Sequence, residues 1–268
     1  IMKFWQWSRR ILLHFVVLIL FLLTAGVLYQ YVSTKIDEKK YPPPGKMVDV
    51  GGYRLHLNCI GSVGPTVVLD AGLGCNSLDW TLIQPEISKF TRVCSFDRAG
   101  YPWSDKSFLK RTSQNMVIEM HTLLHNAKVP GPYILVGHSF GGVNALLYAS
   151  TYPDDVAGIV LVDSAHEDQL EKFPSMLMPN TILIKFLVYT GIQRLMNLYL
   201  PQGRKSFSMF PKKIQDICLD QRSSNEYINT VIEEMSNLKE SLGQLKKAGK
   251  FLENKPLIVI VAGKPEKE

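Results

Sequence analysis

The sequence predicts an α/β protein built on a mostly parallel sheet with helices on both faces, and three features predict it. Short apolar runs, rich in β-branched residues, recur at residues 66–70, 92–96, 133–136, 158–163 and 256–262, as in strands buried on both faces. Helix-compatible segments lie between them, most clearly from Thr112 and directly after Ser139, the rhythm of strand–helix–strand crossovers. Turn signals such as Gly64-Pro65 and Pro130-Gly131-Pro132 punctuate the runs. In such a sheet the loops at the strand C-termini form the site.

Residues 11–29 carry no formal charge, with Trp5, Trp7, Tyr29 and Tyr31 at the flanks. A run of this length with aromatic anchors reads as a membrane-spanning helix. A cleaved signal peptide is the competing reading, with Thr24-Ala25-Gly26 as a weak cleavage site, although the apolar region of such peptides is normally shorter. Arg9 and Arg10 abut the run directly, which favours the N-terminus inside and the large domain outside the cytoplasm. Residues 1–32 are therefore assigned to an anchor and residues 33–46 to a polar, Pro-rich spacer that holds the domain off a bilayer. Residues 47–268 form the domain itself, with material for one sizeable core.

The net charge of +6 is concentrated at that end, because residues 1–40 hold six Lys/Arg against Asp37 and Glu38. Only +2 belongs to the remainder, so nucleic-acid binding is not expected. The four cysteines, Cys59, Cys75, Cys94 and Cys218, have no metal-ligand spacing. Cys59 and Cys94 fall on adjacent predicted strands, where either a disulfide of an exported domain or two buried thiols fits.

Residues 133–148, YILVGHSFGGVNALLY, hold the chemistry. A buried strand meets Gly137-His138-Ser139-Phe140-Gly141 and a helix follows at once, the context in which G-x-S-x-G forms a nucleophile elbow. The turn is so sharp that glycines must flank the serine, and Ser139 is left above the sheet with the Phe140 N–H at the start of a helix. The loop Asp70-Ala71-Gly72-Leu73-Gly74 after the preceding parallel strand offers Leu73 N–H as a second oxyanion donor. Asp97 and Arg98 read as loop-bracing residues. His121 and His125 share one helix face without a third ligand nearby, so a metal site is not expected, and no motif calls for a cofactor.

From Ser164 to about residue 250 the strand rhythm stops and helical patterns take over, including the stripe Tyr227, Val231, Met235, Leu238 and Leu242. This segment reads as an inserted helical lid above the sheet, with apolar faces that pack in a core or line a pocket for a greasy substrate.

The blocks VVLDAGLG, FDRAGYPWSD, ILVGHSFGG and GIVLVDSAHED resemble those of bacterial membrane-anchored or exported proteins of the α/β-hydrolase fold superfamily over about residues 48–268. The resemblance implies a serine hydrolase cleaving an ester or amide, with Ser139 as nucleophile and the Leu73 and Phe140 amides as oxyanion hole. Acyl transfer on the same site and a non-catalytic binding protein are the alternatives. An epoxide hydrolase or dehalogenase would want Asp at the elbow. The implied triad acid is Asp163 at the end of one strand, with Glu266 after the next as the alternative. Pro102 replaces the Gly usual in related chains. None of the six histidines (His14, His56, His121, His125, His138 and His166) stands after a final strand, so the base is expected beyond Glu268 in a longer parent chain.

Overall fold

The computed structural model describes residues 2–172, 180–249 and 255–263. Its contacts divide the chain into two compact units, residues 42–179 with 229–268 and residues 1–41 with 180–228.

The first unit is the sheet. Its strands are β1 (Lys46–Asp49), β2 (Arg54–Ile60), β3 (Thr66–Asp70), β4 (Val93–Phe96), β5 (Tyr133–His138), β6 (Val156–Val162) and β7 (Leu257–Ile260). They stand in the order β1-β2-β4-β3-β5-β6-β7. The β1–β2 and β2–β4 pairs are antiparallel and all the others parallel. All five β3 residues are buried, which is why its sequence reads as an unbroken apolar run instead of alternating. Cys59 and Cys94 are direct partners in the β2–β4 register and are joined by a disulfide, not left as two buried thiols. Cys75 is half-buried and Cys218 buried.

After the single-turn α2 (Gln84–Ile87), helices α3 (Ser113–Asn126) and α4 (Phe140–Thr151) cover the sheet, and the short α5 (Gln169–Lys172) follows β6. Met116, Val117, Met120, Leu123 and Leu124 of α3 are buried and join Val143, Ala145 and Leu147 of α4 in one cluster with the sheet. These are the spacings of three and four that put side chains on one helix face.

The lid expected over residues 164–250 needs correction at its C-terminal end, and residues 173–179 and 250 lie outside the described residues. Leu242 and Leu245 of α11 (Leu238–Ala248) belong to the same core cluster as α3 and α4. The reason is polar as well as apolar. Thr112 stands at the α3 N-cap without a side-chain capping bond; the amides of Ser113 and Gln114 donate instead to Ser241 Oγ at 3.0 Å and Gln244 Oε1 at 2.9 Å. Thus α11 satisfies the orphan donors that every helix start leaves open. The stripe read from Tyr227 to Leu242 is packing, not pocket lining, from Leu238 onward.

The second unit is helical: α1 (Met2–Lys40), α6 (Thr181–Tyr189), α7 (Ile192–Tyr199), α8 (Pro201–Lys205) and α9 (Lys212–Gln221), with the start of α10 (Asn225–Ser236). Helix α1 is long and apolar enough to cross a membrane, with a mean hydropathy of 2.8 in its most apolar window and none of that window buried. It does not end at residue 32. The segment read as a spacer from residue 33 stays helical to Lys40 and becomes irregular only at Tyr41-Pro42-Pro43-Pro44. Three interactions account for this. Lys35 pairs with Glu38 one turn on at 2.7 Å, Lys39 and Lys40 sit in the last turn, where cations favour the helix dipole, and the buried Arg194 grips Asp37 at 2.6 Å.

Candidate active site

Ser139 stands between β5 and α4 with φ +50° and ψ −118°, a backbone conformation rare for any residue with a side chain. The two motif glycines explain how such a turn closes. A Cβ on Gly137 would strike the Gly141 carbonyl and the Gly142 backbone, and a Cβ on Gly141 would strike the Asp70 carbonyl at the end of β3. Ser139 N–H donates to Val162 O at 3.1 Å and Ser139 O accepts from Ala165 N–H at 3.0 Å, so the β6 end clamps the elbow. Its side chain is half-buried, and among the described residues its hydroxyl has no hydrogen-bond partner.

The loop after β3 lies directly against this serine. A Cβ built on Gly72 would be 3.0 Å from His138 Nδ1 and 3.2 Å from Ser139 Cβ, so glycine here permits the close approach. Arg98 fixes the loop from beneath. Its Nη1 donates to Ala71 O at 2.7 Å and its Nη2 to Gly72 O at 2.9 Å. Because a trans peptide carries its C=O and the next N–H on opposite sides, holding Gly72 O on Arg98 turns Leu73 N–H away from it. Neither Leu73 N–H nor Phe140 N–H has an acceptor among the described residues. Gly74 N–H is bonded, to Tyr101 Oη at 2.9 Å.

Arg98 is itself buried in a charge network. It pairs with Asp70 at 2.7 Å and with Glu234 at 2.9 Å, Tyr101 Oη donates to Glu234 Oε2 at 2.6 Å, and Asn144 Nδ2 donates to the second oxygen of Asp70 at 3.0 Å. Burial pushes the Asp70 carboxyl above its ordinary pKa, and the Arg98 charge opposes that without cancelling it. Burial also disfavours the charged guanidinium, but the facing Glu234, Tyr101 and Asp70 outweigh it. Asp97 takes a neighbouring role. Burial acts against its charged form, yet the His56 contact at 3.6 Å and the bond from Ser77 N–H at 2.8 Å hold its pKa below the usual value. The loop-bracing reading of Asp97 and Arg98 thus fits, and what Arg98 braces is the loop beside Ser139. No sequence signal singles out Glu234, one of three glutamates in an amphipathic helix 136 residues further on.

Asp163 lies just past β6 with φ +44°, its side chain exposed and its N–H bonded to Ile260 O at 2.7 Å. Glu266 lies outside the described residues. His56 is buried with Nε2 on Pro44 O at 2.6 Å; His121 stacks on Tyr152 with ring centroids 3.9 Å apart and lies 3.4 Å from Asp155. His125 is exposed on the same helix. His166 is exposed, its Nδ1 accepting from Asp168 N–H at 3.1 Å. His14 is in the apolar part of α1, and His138 lies against Gly72. Among the described residues no group of three His, Cys, Asp or Glu side chains is arranged to hold a metal ion.

An elbow serine between a parallel strand and a helix, abutted by the loop of the neighbouring strand in a 1-2-4-3-5-6-7 sheet, defines the α/β-hydrolase fold. Residues 65–184 match the family described as alpha/beta hydrolase fold. The chain is 39% identical over 108 residues to the uncharacterized protein YqjL of Bacillus subtilis, covering 40% of this chain and 43% of that one. It is 31% identical over 139 residues to the uncharacterized vacuolar membrane protein YNL115C of Saccharomyces cerevisiae, covering 45% of this chain and 21% of that one. Among solved structures, Cfl2 from Burkholderia cenocepacia superposes with a TM-score of 0.64 at 20% identity, over 80% of this chain and 78% of that one. The chain spans less than half the length of these curated relatives.

Proposed function

We propose that this protein is a serine hydrolase that cleaves a carboxylic ester, or an amide, through an acyl-enzyme on Ser139. Ser139 Oγ attacks the acyl carbon; the C–O bond to the leaving alcohol breaks; and the serine proton passes through a histidine base to the departing alkoxide. The Leu73 and Phe140 amides are the donors for the oxyanion, and Asp163 is the carboxylate that orients the base, with Glu266 as the alternative. Among the described residues no histidine is hydrogen-bonded to Ser139 Oγ, and the base is not assigned to any of the six. The observation that carries the reading is the Ser139 hydroxyl, without a hydrogen-bond partner among the described residues and held at φ +50° beside the Gly72–Leu73 loop. An epoxide hydrolase or dehalogenase would need a carboxylate there.

The protein is further proposed to be a single-pass membrane protein, anchored by residues 11–29 with the sheet unit outside the cytoplasm. The apolar run, Arg9 and Arg10 before it and the Cys59–Cys94 disulfide support this. An apolar acyl ester is the substrate class that fits such a location.

Fluorophosphonate labelling of the full-length protein tests the nucleophile. Covalent labelling is expected and is lost in Ser139→Ala; equal labelling of the variant would remove Ser139 from the mechanism.

A further inference from the structure

Helices α6 and α7 present large apolar side chains to solvent. Ile182 is 81% exposed and Tyr199 77%, with Leu183, Phe186, Leu195 and Leu198 exposed beside them. On α6, residues 182, 183 and 186 fall on one face, and on α7 residues 195, 198 and 199 do, by steps of three and four. Large apolar side chains exposed in such numbers on two short successive helices point to a cover.

The place of these helices on α1 indicates what covers them. The turn between α6 and α7 is seated on the C-terminal end of the apolar run, where a Cβ on Gly26 would strike the Thr190 carbonyl and a Cβ on Gly191 would be 2.8 Å from the Tyr29 ring. One turn beyond, Arg194 donates to Gln30 Oε1 at 2.8 Å, to Thr34 Oγ1 at 3.2 Å and to Asp37 at 2.6 Å. The α6–α7 turn is therefore fixed to α1 at the level where residues 11–29 give way to the charged end of the helix. The net charge of this unit is positive as well, although Arg194 is buried on Asp37 and Lys35, Lys40 and Arg204 are in ion pairs. Residues 30–41 and 180–228 hold ten Lys/Arg against five Asp/Glu, although the whole chain is only +6.

We propose that α6 and α7 lie on the bilayer, their apolar faces in the boundary between headgroups and acyl chains and the surrounding Lys and Arg on anionic phospholipid headgroups, as a second, in-plane membrane contact beside the α1 span. The proposal rests on the reading of α1 as a span, and it deepens that reading. The protein then holds the bilayer at two places, and the substrate class it meets is an ester partitioned into the outer part of the leaflet.

The test is site-directed spin labelling of the full-length protein in vesicles of phosphatidylcholine and phosphatidylglycerol, comparing accessibility to oxygen, which concentrates in lipid, with that to a water-soluble nickel chelate. Ile182→Cys, Leu198→Cys, Leu18→Cys and Lys246→Cys are made in a Cys75→Ser background, Cys218 being buried. Labels at 182 and 198 are expected to favour oxygen over nickel, less deeply than the label at 18, while the label at 246 favours nickel. Replacing phosphatidylglycerol by phosphatidylcholine, or raising the salt, should shift 182 and 198 toward nickel and leave 18 unchanged. A lipid signal at 18 with nickel-accessible labels at 182 and 198 overturns the in-plane contact alone. A nickel-accessible label at 18 removes the span on which it rests. Labels at 182 and 198 shielded from both reagents, or broadened by a label on a second copy, overturn it in favour of a protein cover.

Discussion

Arg98→Met removes the group that ties three parts of the sheet unit together while keeping roughly its bulk. In the native protein Arg98 is 4% exposed and donates to Asp70, to both oxygens of Glu234 and to the carbonyls of Ala71 and Gly72. Breaking a buried ion pair by deleting one partner costs about 3–5 kcal/mol, because the remaining charge stays buried without compensation. Two carboxylates lose their counter-ion here, but each keeps one neutral donor, Asn144 for Asp70 and Tyr101 for Glu234. The loss should therefore stay near about 3–5 kcal/mol instead of doubling. In a domain of this size that is a fall in Tm of roughly 6–20 °C. It also carries a pH signature. Asp70 already has a raised pKa from burial, and without Arg98 it rises further. A carboxyl whose folded pKa is raised contributes stability below its unfolded value and loses it as pH climbs through the folded one, so the deficit should be larger at about pH 8 than at about pH 5. Urea unfolding followed by the fluorescence of Trp80 and Trp103 in detergent measures it, and the fluorophosphonate reaction rate reports whether the Gly72 loop has moved. A cost under about 1 kcal/mol with an unchanged labelling rate would refute the network as the brace of that loop. Adding Asp70→Asn to Arg98→Met should recover part of the loss, a coupling that a double-mutant cycle resolves.

Ser139→Gly should abolish labelling yet stabilise the protein by about 1 kcal/mol, since the left-handed turn at φ +50° costs a residue with a side chain about 1–3 kcal/mol; a destabilised variant would contradict strain at the elbow. Cys59→Ala with Cys94→Ala opens a link across 35 residues, and the chain-entropy estimate predicts a loss of about 3–4 kcal/mol in denaturant unfolding. The Tyr53 hydroxyl, buried and bonded to Glu119 at 2.6 Å, is pushed up to about 12 from 10.0. Its stabilising contribution is complete below the ordinary tyrosine value and fades as pH rises through about 12. Tyr53→Phe should therefore flatten the alkaline decline over that window, and an unchanged pH–stability profile would show that Tyr53 does not titrate there.

What could be read in advance follows from how local each cause is. The succession of strands along the chain and the sharp turn at Ser139 were legible because buried parallel strands are near-continuous apolar runs and because such a turn tolerates only glycine at 137 and 141, where any Cβ meets backbone. The same locality explains the misreadings. Residues 33–40 are charged and precede three prolines, so their composition suggests a spacer. Their helix is supported by Arg194, about 160 positions away, whose grip on Gln30, Thr34 and Asp37 no window of sequence displays. The α3 start repeats the pattern, with Thr112 offering a cap that the fold leaves unused because Ser241 and Gln244 reach the free amides first.

Arg98 is the same effect at the site itself. An Arg after a strand is most often a surface loop brace, and nothing near it in the chain says that it is buried. Burial follows only once Glu234 arrives from α10 to balance it, because a guanidinium between one carboxylate and two carbonyls would not repay its desolvation. The consequence for mechanism is that the serine's turn is encoded in a dozen neighbouring residues, whereas the direction of the Leu73 amide depends on a side chain in a helix from the far end of the domain. On the proposed mechanism, Glu234→Gln should therefore change the rate of fluorophosphonate labelling even though Glu234 does not touch the serine.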